Sequence, residues 1–132
     1  MNTIAKDNAI ITLTPAADQT GKEGYLVEVD ANEKASVIDS ISDLPFGVIL
    51  EGAPTTGKSS IAVAAGGFHG TVRLKLDAAP GTVKTGTWLQ STATGTVKAD
   101  AGAGSRVLIA QALEAGAANE LIEAILFKPI SL

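Results

Sequence analysis

The chain has 132 residues, no cysteine and a formal net charge of −4, with 18% of its residues charged and 4% aromatic. That length suits one domain with a real core, the missing cysteine excludes disulfide staples, thiolate zinc sites and thiol nucleophiles, and the acidic balance offers no electrostatic footprint for nucleic acid. No apolar run approaches the ~20 residues that cross a bilayer, and Met1-Asn2-Thr3-Ile4-Ala5-Lys6-Asp7 lacks the basic and then apolar order of a secretory signal. The expected protein is soluble when made, with neither nucleic acid nor a membrane as partner.

Residues 1–24 read as an N-terminal arm holding one short strand around Ala9-Ile10-Ile11-Thr12-Leu13, and residues 25–132 as the domain proper. Tyr25 to Asp30 sets Tyr25, Val27 and Val29 on one face and Leu26, Glu28 and Asp30 on the other, the pattern of a half-buried strand. Val37-Ile38 marks another short strand, Ser42-Asp43-Leu44-Pro45 a turn, and Phe46 to Glu51 a buried strand. The clearest alternation is Thr71-Val72-Arg73-Leu74-Lys75-Leu76-Asp77, which has period 2 and not 3.6. Ala79-Pro80-Gly81 ends it. Short strands around Trp88-Leu89 and Val97-Lys98-Ala99 follow, separated by the turn Ala93-Thr94-Gly95-Thr96.

Val107 to Glu114 and Leu121 to Phe127 are ambiguous, because both are rich in helix formers. A helix over the second would gather Leu121, Ile122, Ile125 and Leu126 on one face behind Asn119 as N-cap. A strand would set Ile122, Ala124 and Leu126 against Leu121, Glu123, Ile125 and Phe127. The turn signals elsewhere recur every 8 to 12 residues or so, the spacing of a sandwich or barrel.

Gly52-Ala53-Pro54-Thr55-Thr56-Gly57-Lys58-Ser59 satisfies the phosphate-loop pattern at every position. A working loop of this type opens a helix whose positive end completes the anion site. Here the next residues, Ser60-Ile61-Ala62-Val63-Ala64-Ala65, alternate like a strand and stop at Gly66-Gly67. Asp77 is a poor metal-binding acid, since Arg73 and Lys75 interrupt its strand. The 73 residues after Ser59 leave little room for several βαβ units of about 30 residues each. The sequence therefore favours a loop between two antiparallel strands, with a nucleotide-binding protein using Gly52 to Ser59 as the alternative.

Other chemistry is sparse. His69 is the lone histidine and has no thiolate or second imidazole to share a transition metal. Glu28, Asp30, Glu33, Asp39 and Asp43 lack the ligand spacing of an EF-hand and read as a solvated face. No nucleophile elbow accompanies the many serines and threonines. Trp88 and Tyr25 read as core anchors, with a ligand-binding β-module built on these two rings as a further alternative. No catalytic, cofactor-binding or metal-ligating residue is assigned, and no enzyme activity is expected.

From Pro45-Phe46-Gly47-Val48-Ile49-Leu50-Glu51-Gly52 onward the chain resembles the capsid decoration, or capsid cement, proteins of tailed phages. Ile61-Ala62-Val63-Ala64 leading into Gly70 to Leu76 is similar to that family's paired central strands, and Ala79 to Leu89 to the strand that follows a glycine-containing turn. Ile109 to Leu126 is similar to its closing hairpin, which favours strands over helices there. Ile109-Ala110-Gln111 departs from the glycine common near the start of the family's penultimate strand. The resemblance covers roughly residues 25 to 128. It implies an all-β single domain, a small barrel or sandwich of eight to ten short antiparallel strands with an extended N-terminal arm. It also implies a structural virion protein, made in the host cytoplasm, that binds the major capsid protein on the capsid exterior as a homotrimer and stabilises the shell, with no cofactor.

Overall fold

The computed structural model describes residues 10–64 and 71–132; the first nine residues of the arm, and His69 with its neighbours, lie outside them. The described residues hold ten strands and no helix: β1 (Ile10–Leu13), β2 (Leu26–Val29), β3 (Ala35–Val37), β4 (Gly47–Glu51), β5 (Ser59–Val63), β6 (Val72–Lys75), β7 (Trp88–Ser91), β8 (Val97–Ala99), β9 (Val107–Ala112) and β10 (Leu121–Ser131). They form two five-stranded sheets, β1-β5-β4-β2-β3 and β6-β10-β9-β7-β8. Every strand pair in both sheets is antiparallel. The all-β expectation holds.

Both sheets curl until their margins meet. Pro15, just after β1, bridges Ala35 of β3, and Leu76, just after β6, bridges Val97 of β8. Such curling is how a short sheet limits its open edges. The stretch from residue 10 to residue 24 is built into the first sheet: β1 pairs with β5 from Ile10↔Ala62 to Leu13↔Ser59, and Gln19 is buried.

Period-2 alternation decides which core each side chain joins. In the first sheet, Leu26, Val48 and Ala62 stand in one cross-strand row and face the main core with Leu74, Leu89, Ile109 and Ile122 of the second sheet. Their neighbours Val27, Ile49 and Ile61 point the other way, into a smaller cluster with Ala35 that Ile11, Leu13, Tyr25, Val37 and Phe46 flank. The strand expected to be half-buried is therefore covered on both faces at its start, with Leu26 and Val27 both wholly inaccessible. Towards its end it reaches solvent, with Glu28 half-buried and Val29 exposed. Each fully buried Leu or Ile contributes about 1.5–3 kcal/mol, so the thin cores lean on a small number of aliphatic side chains.

The two ambiguous segments are strands, β9 and β10. Ile122, Ala124 and Leu126 are buried while Glu123 and Ile125 are exposed, an alternation that no helix can produce. Tertiary pairing has overridden helix propensity: β10 lies between β6 and β9 and bonds to both. Asn119 caps no helix. It takes a left-handed φ of 64° in the turn before β10, a conformation asparagine tolerates.

The sheets are tied through Gly24. Its amide donates to the Ile49 carbonyl (2.8 Å) in the first sheet, and its carbonyl accepts from the Lys75 amide (3.0 Å) in the second. A Cβ here would sit 2.9 Å from the Lys75 nitrogen, on backbone with φ +86°, so only glycine suits the junction.

Candidate functional site

The segment Gly52 to Ser59 joins β4 to β5, two neighbouring antiparallel strands. Its turn is closed by the Gly57 amide donating to the Pro54 carbonyl (2.8 Å), and Ser59 enters β5 directly. The positive helix end that a phosphate site requires is replaced by a strand. The groups that would hold phosphate and metal are engaged within the protein. The Ser59 hydroxyl donates to Oε1 of Gln19 (2.8 Å) and accepts from the Ala53 amide (3.1 Å). The Gly52 amide donates to the Glu23 carboxylate (3.0 Å), which places a negative charge where a phosphate would need none. Lys58 is exposed.

The first glycine has a packing role. A Cβ on Gly52 would collide with the backbone carbonyl of Gln19. Gln19 also donates from its backbone to Ala53 (2.9 Å) and from Nε2 to the Ala35 carbonyl (2.8 Å). This one buried residue thus binds the loop, β3 and the segment after β1. Nothing in the local sequence marks it out, because Asp18-Gln19-Thr20-Gly21 reads as an ordinary turn.

Asp77 is likewise occupied. Its carboxylate accepts from the Thr96 hydroxyl (2.8 Å) and the Ala79 amide (3.1 Å), and the Thr96 bond leads in holding its pKa below the ordinary carboxylate value. It secures the turn after β6 to the approach of β8.

Neither aromatic expected in the core is fully buried. Trp88 is 48% exposed on the outer face of the second sheet, where it meets Phe127 edge-on with ring centroids 5.5 Å apart and planes at 68°. The cause is register: Trp88 pairs with Gln111, and Gln111 pairs with Ile125, an outward row. Tyr25 belongs to the first sheet, beside the smaller cluster, with the Lys22 ammonium 4.6 Å from its ring centre. Trp88 stands on the second sheet while Tyr25 flanks the smaller cluster of the first, so the two rings make no joint platform.

The structure does gather three acids that sequence reading scattered. Carboxylate oxygens of Glu28, Asp39 and Asp43 lie within 4.8 Å of one another, brought together by β2 and the loop before β4. The Asp43 carboxylate accepts from the Asp39 and Ser40 amides (3.2 and 3.0 Å). Glu28 makes no ion pair among the described residues, and partial desolvation, then the charges of Asp43, Asp39 and Asp30, push its pKa up. Beside it runs a groove of about 400 Å³ lined by Glu28, Val29, Leu44, Pro45, Phe46, Lys128 and Pro129. A second groove, about 300 Å³, is lined by Ile41, Val107 and Leu132 among others, so the Ile41–Phe46 stretch and the end of β10 border both.

Among the described residues, five of the eight large apolar side chains that are well exposed, Val29, Ile41, Leu44, Ile130 and Leu132, belong to the strands and loop that frame these grooves. Trp88 and Ile125 belong to the outward row on the second sheet. No helix among the described residues is long and apolar enough to cross a membrane. No protein-family model matches the chain, and no curated protein matches it.

Proposed function

We propose that this chain is a non-catalytic structural protein of a phage virion, which binds the outside of an assembled capsid as a trimer and stabilises the shell. The observation that carries the reading is the distribution of exposed apolar side chains. Among the described residues seven of the eight fall into two groups, Trp88 and Ile125 on the outer face of the second sheet and Val29, Ile41, Leu44, Ile130 and Leu132 about the grooves, as expected of a protein that contacts both a shell and its own copies; Ile10, on β1, stands apart. The resemblance over residues 25 to 128 supports it, as does the all-β fold. The engagement of Ser59 and Gly52 within the protein weighs against the main rival, nucleotide binding at Gly52 to Ser59.

Stabilisation of a shell needs no reaction. A protein gains stability from symmetric contacts, and many weak contacts repeated over a lattice sum to tight attachment. The test is cosedimentation with shells assembled from the major capsid protein of the genome that encodes this chain. Binding, together with a higher temperature of shell disruption, is the expected result. Protein left wholly in the supernatant would overturn the proposal.

A further inference from the structure

The groove between β2 and β10 carries opposite charges on its two sides. Glu28, with Asp39 and Asp43 behind it, stands on the side of β2, and Lys128 stands on the side of β10. Lys128 is exposed and makes no salt bridge among the described residues. The ladder between β10 and β9 is interrupted from Leu126 to Ile130. A bulge of this kind re-aims the side chains it contains, and here it takes Lys128 and Pro129 out of register and into the groove wall. Between the charged sides lie Val29, Leu44, Pro45 and Phe46, with Val29 40% and Leu44 58% exposed.

A surface with acids along one side, a lysine along the other and apolar side chains between them is complementary to itself. Rotation by 180° about an axis running along the groove sets each copy's acidic side against the other's lysine, the reciprocal pairing of an isologous contact. The same rotation brings Leu44 and Val29 of the two copies together and removes both from water. A foreign partner would have to reproduce this pattern, whereas a second copy supplies it.

We propose that a second copy of this chain docks on the groove lined by Glu28, Val29, Leu44, Phe46 and Lys128, with Lys128 of each copy facing the Glu28–Asp39–Asp43 triad of the other. A stable interface takes about 20–30 residues from each partner, and the seven that line this groove are few beside that, so the contact is weak in dilute solution. It strengthens where copies are already held close, as on a shell. The inference stands on the groove alone and does not depend on the capsid reading.

The experiment is sedimentation equilibrium of the full chain from about 10 µM to about 1 mM, for the wild type, Lys128→Glu, the double variant Glu28→Lys/Asp39→Lys, which turns the triad net positive, and an equimolar mixture of the two variants. Glu28→Arg/Asp39→Arg replaces the double variant if circular dichroism shows that the latter misfolds. The expected wild type self-associates, and does so less at high salt. Each reversal alone lowers the association constant about tenfold or more. The mixture recovers it, because in a mixed pair the side chain at position 128 of each copy again faces an opposite charge on the other. A wild type that stays monomeric throughout the range overturns the proposal, as does association that the reversals leave unchanged or that mixing fails to restore. Because no capsid is present, failure here leaves the cosedimentation result untouched.

Discussion

Ser59 and Gln19, forty positions apart in the chain, are joined by a 2.8 Å hydrogen bond in which the serine hydroxyl donates to the amide oxygen. Both residues are buried, so removal of the hydroxyl leaves Oε1 of Gln19 without its donor and the Ala53 amide without its acceptor. Ser59→Ala is expected to cost about 1–3 kcal/mol, measured by urea unfolding. Lys58→Ala, one position away but exposed, is expected to fall within about 0.5 kcal/mol of the wild type. A phosphate loop in use would give the reverse ordering in a nucleotide-binding assay, where neither variant is expected to differ from the wild type.

Gly52→Ala tests the packing role of the same loop. Its new methyl group would overlap the Gln19 carbonyl, which is itself held by the amide of Lys22 (3.0 Å) and has no free direction in which to retreat. Loss of more than about 2 kcal/mol is expected, again by urea unfolding. Gly86→Ala is an instructive contrast: its φ is +90° but nothing lies within 4 Å of the added carbon, so the cost is conformational only, about 1–2 kcal/mol.

Ser91 offers a substitution that should stabilise. It is fully buried in β7, and its Oγ has no hydrogen-bond partner among the described residues. A hydroxyl removed from water without a replacement bond is a net cost. Ser91→Ala is expected to raise stability by about 1 kcal/mol and to move the melting temperature upward; a lower melting temperature would mean that the hydroxyl is satisfied in solution.

The carboxylates set two opposite pH responses. Asp77 and Asp100 are held low, chiefly by the Thr96 hydroxyl and by Arg106 respectively. The stability they supply is fully present above the ordinary aspartate value of about 3.9 and is lost as pH falls through their lowered folded values. Acid unfolding of the wild type should therefore be steeper than that of Asp77→Asn. Glu28 is raised, by desolvation and then by Asp43, Asp39 and Asp30, so its ionised form is a burden above its folded pKa that vanishes below the unfolded one. Glu28→Gln is expected to melt higher than the wild type at about pH 7 and at the same temperature at about pH 3.

Much of this architecture was legible in the residues. Val72-Arg73-Leu74-Lys75 announces β6 by strict alternation, and the strand after Ser59 is visible because Ile61 and Val63 alternate and two glycines follow. Where sequence and structure part, the cause is tertiary. Trp88 looked like a core anchor because a large ring buries well, but its pairing opposite Gln111 turns it outward. Leu26 and Val27 looked like opposite faces of a half-buried strand, and no local pattern reveals that a curled sheet closes a second cluster under Val27. The acidic triad was hidden for a similar reason: Glu28 lies on a strand, and the loop that returns Asp39 and Asp43 to it has no periodicity. Gln19 gave no signal, since a polar residue in a turn-rich stretch is seldom the one that is buried.

The position of β10 has a consequence for how the protein is made. It follows every other strand in the chain, yet it is an interior strand of its sheet, with Ile122 opposite Leu74 of β6 and Ala124 opposite Ala112 of β9. While a ribosome is still synthesising residues 121–131, β6 waits with an unpaired edge and the main core lacks Ile122 and Leu126. Although β9, β7 and β8 can pair earlier, the second sheet is therefore completed only after translation of β10, which alone joins β6 to the rest. In that interval the nascent chain exposes a strand edge with alternating apolar side chains, the species most open to pairing with another chain.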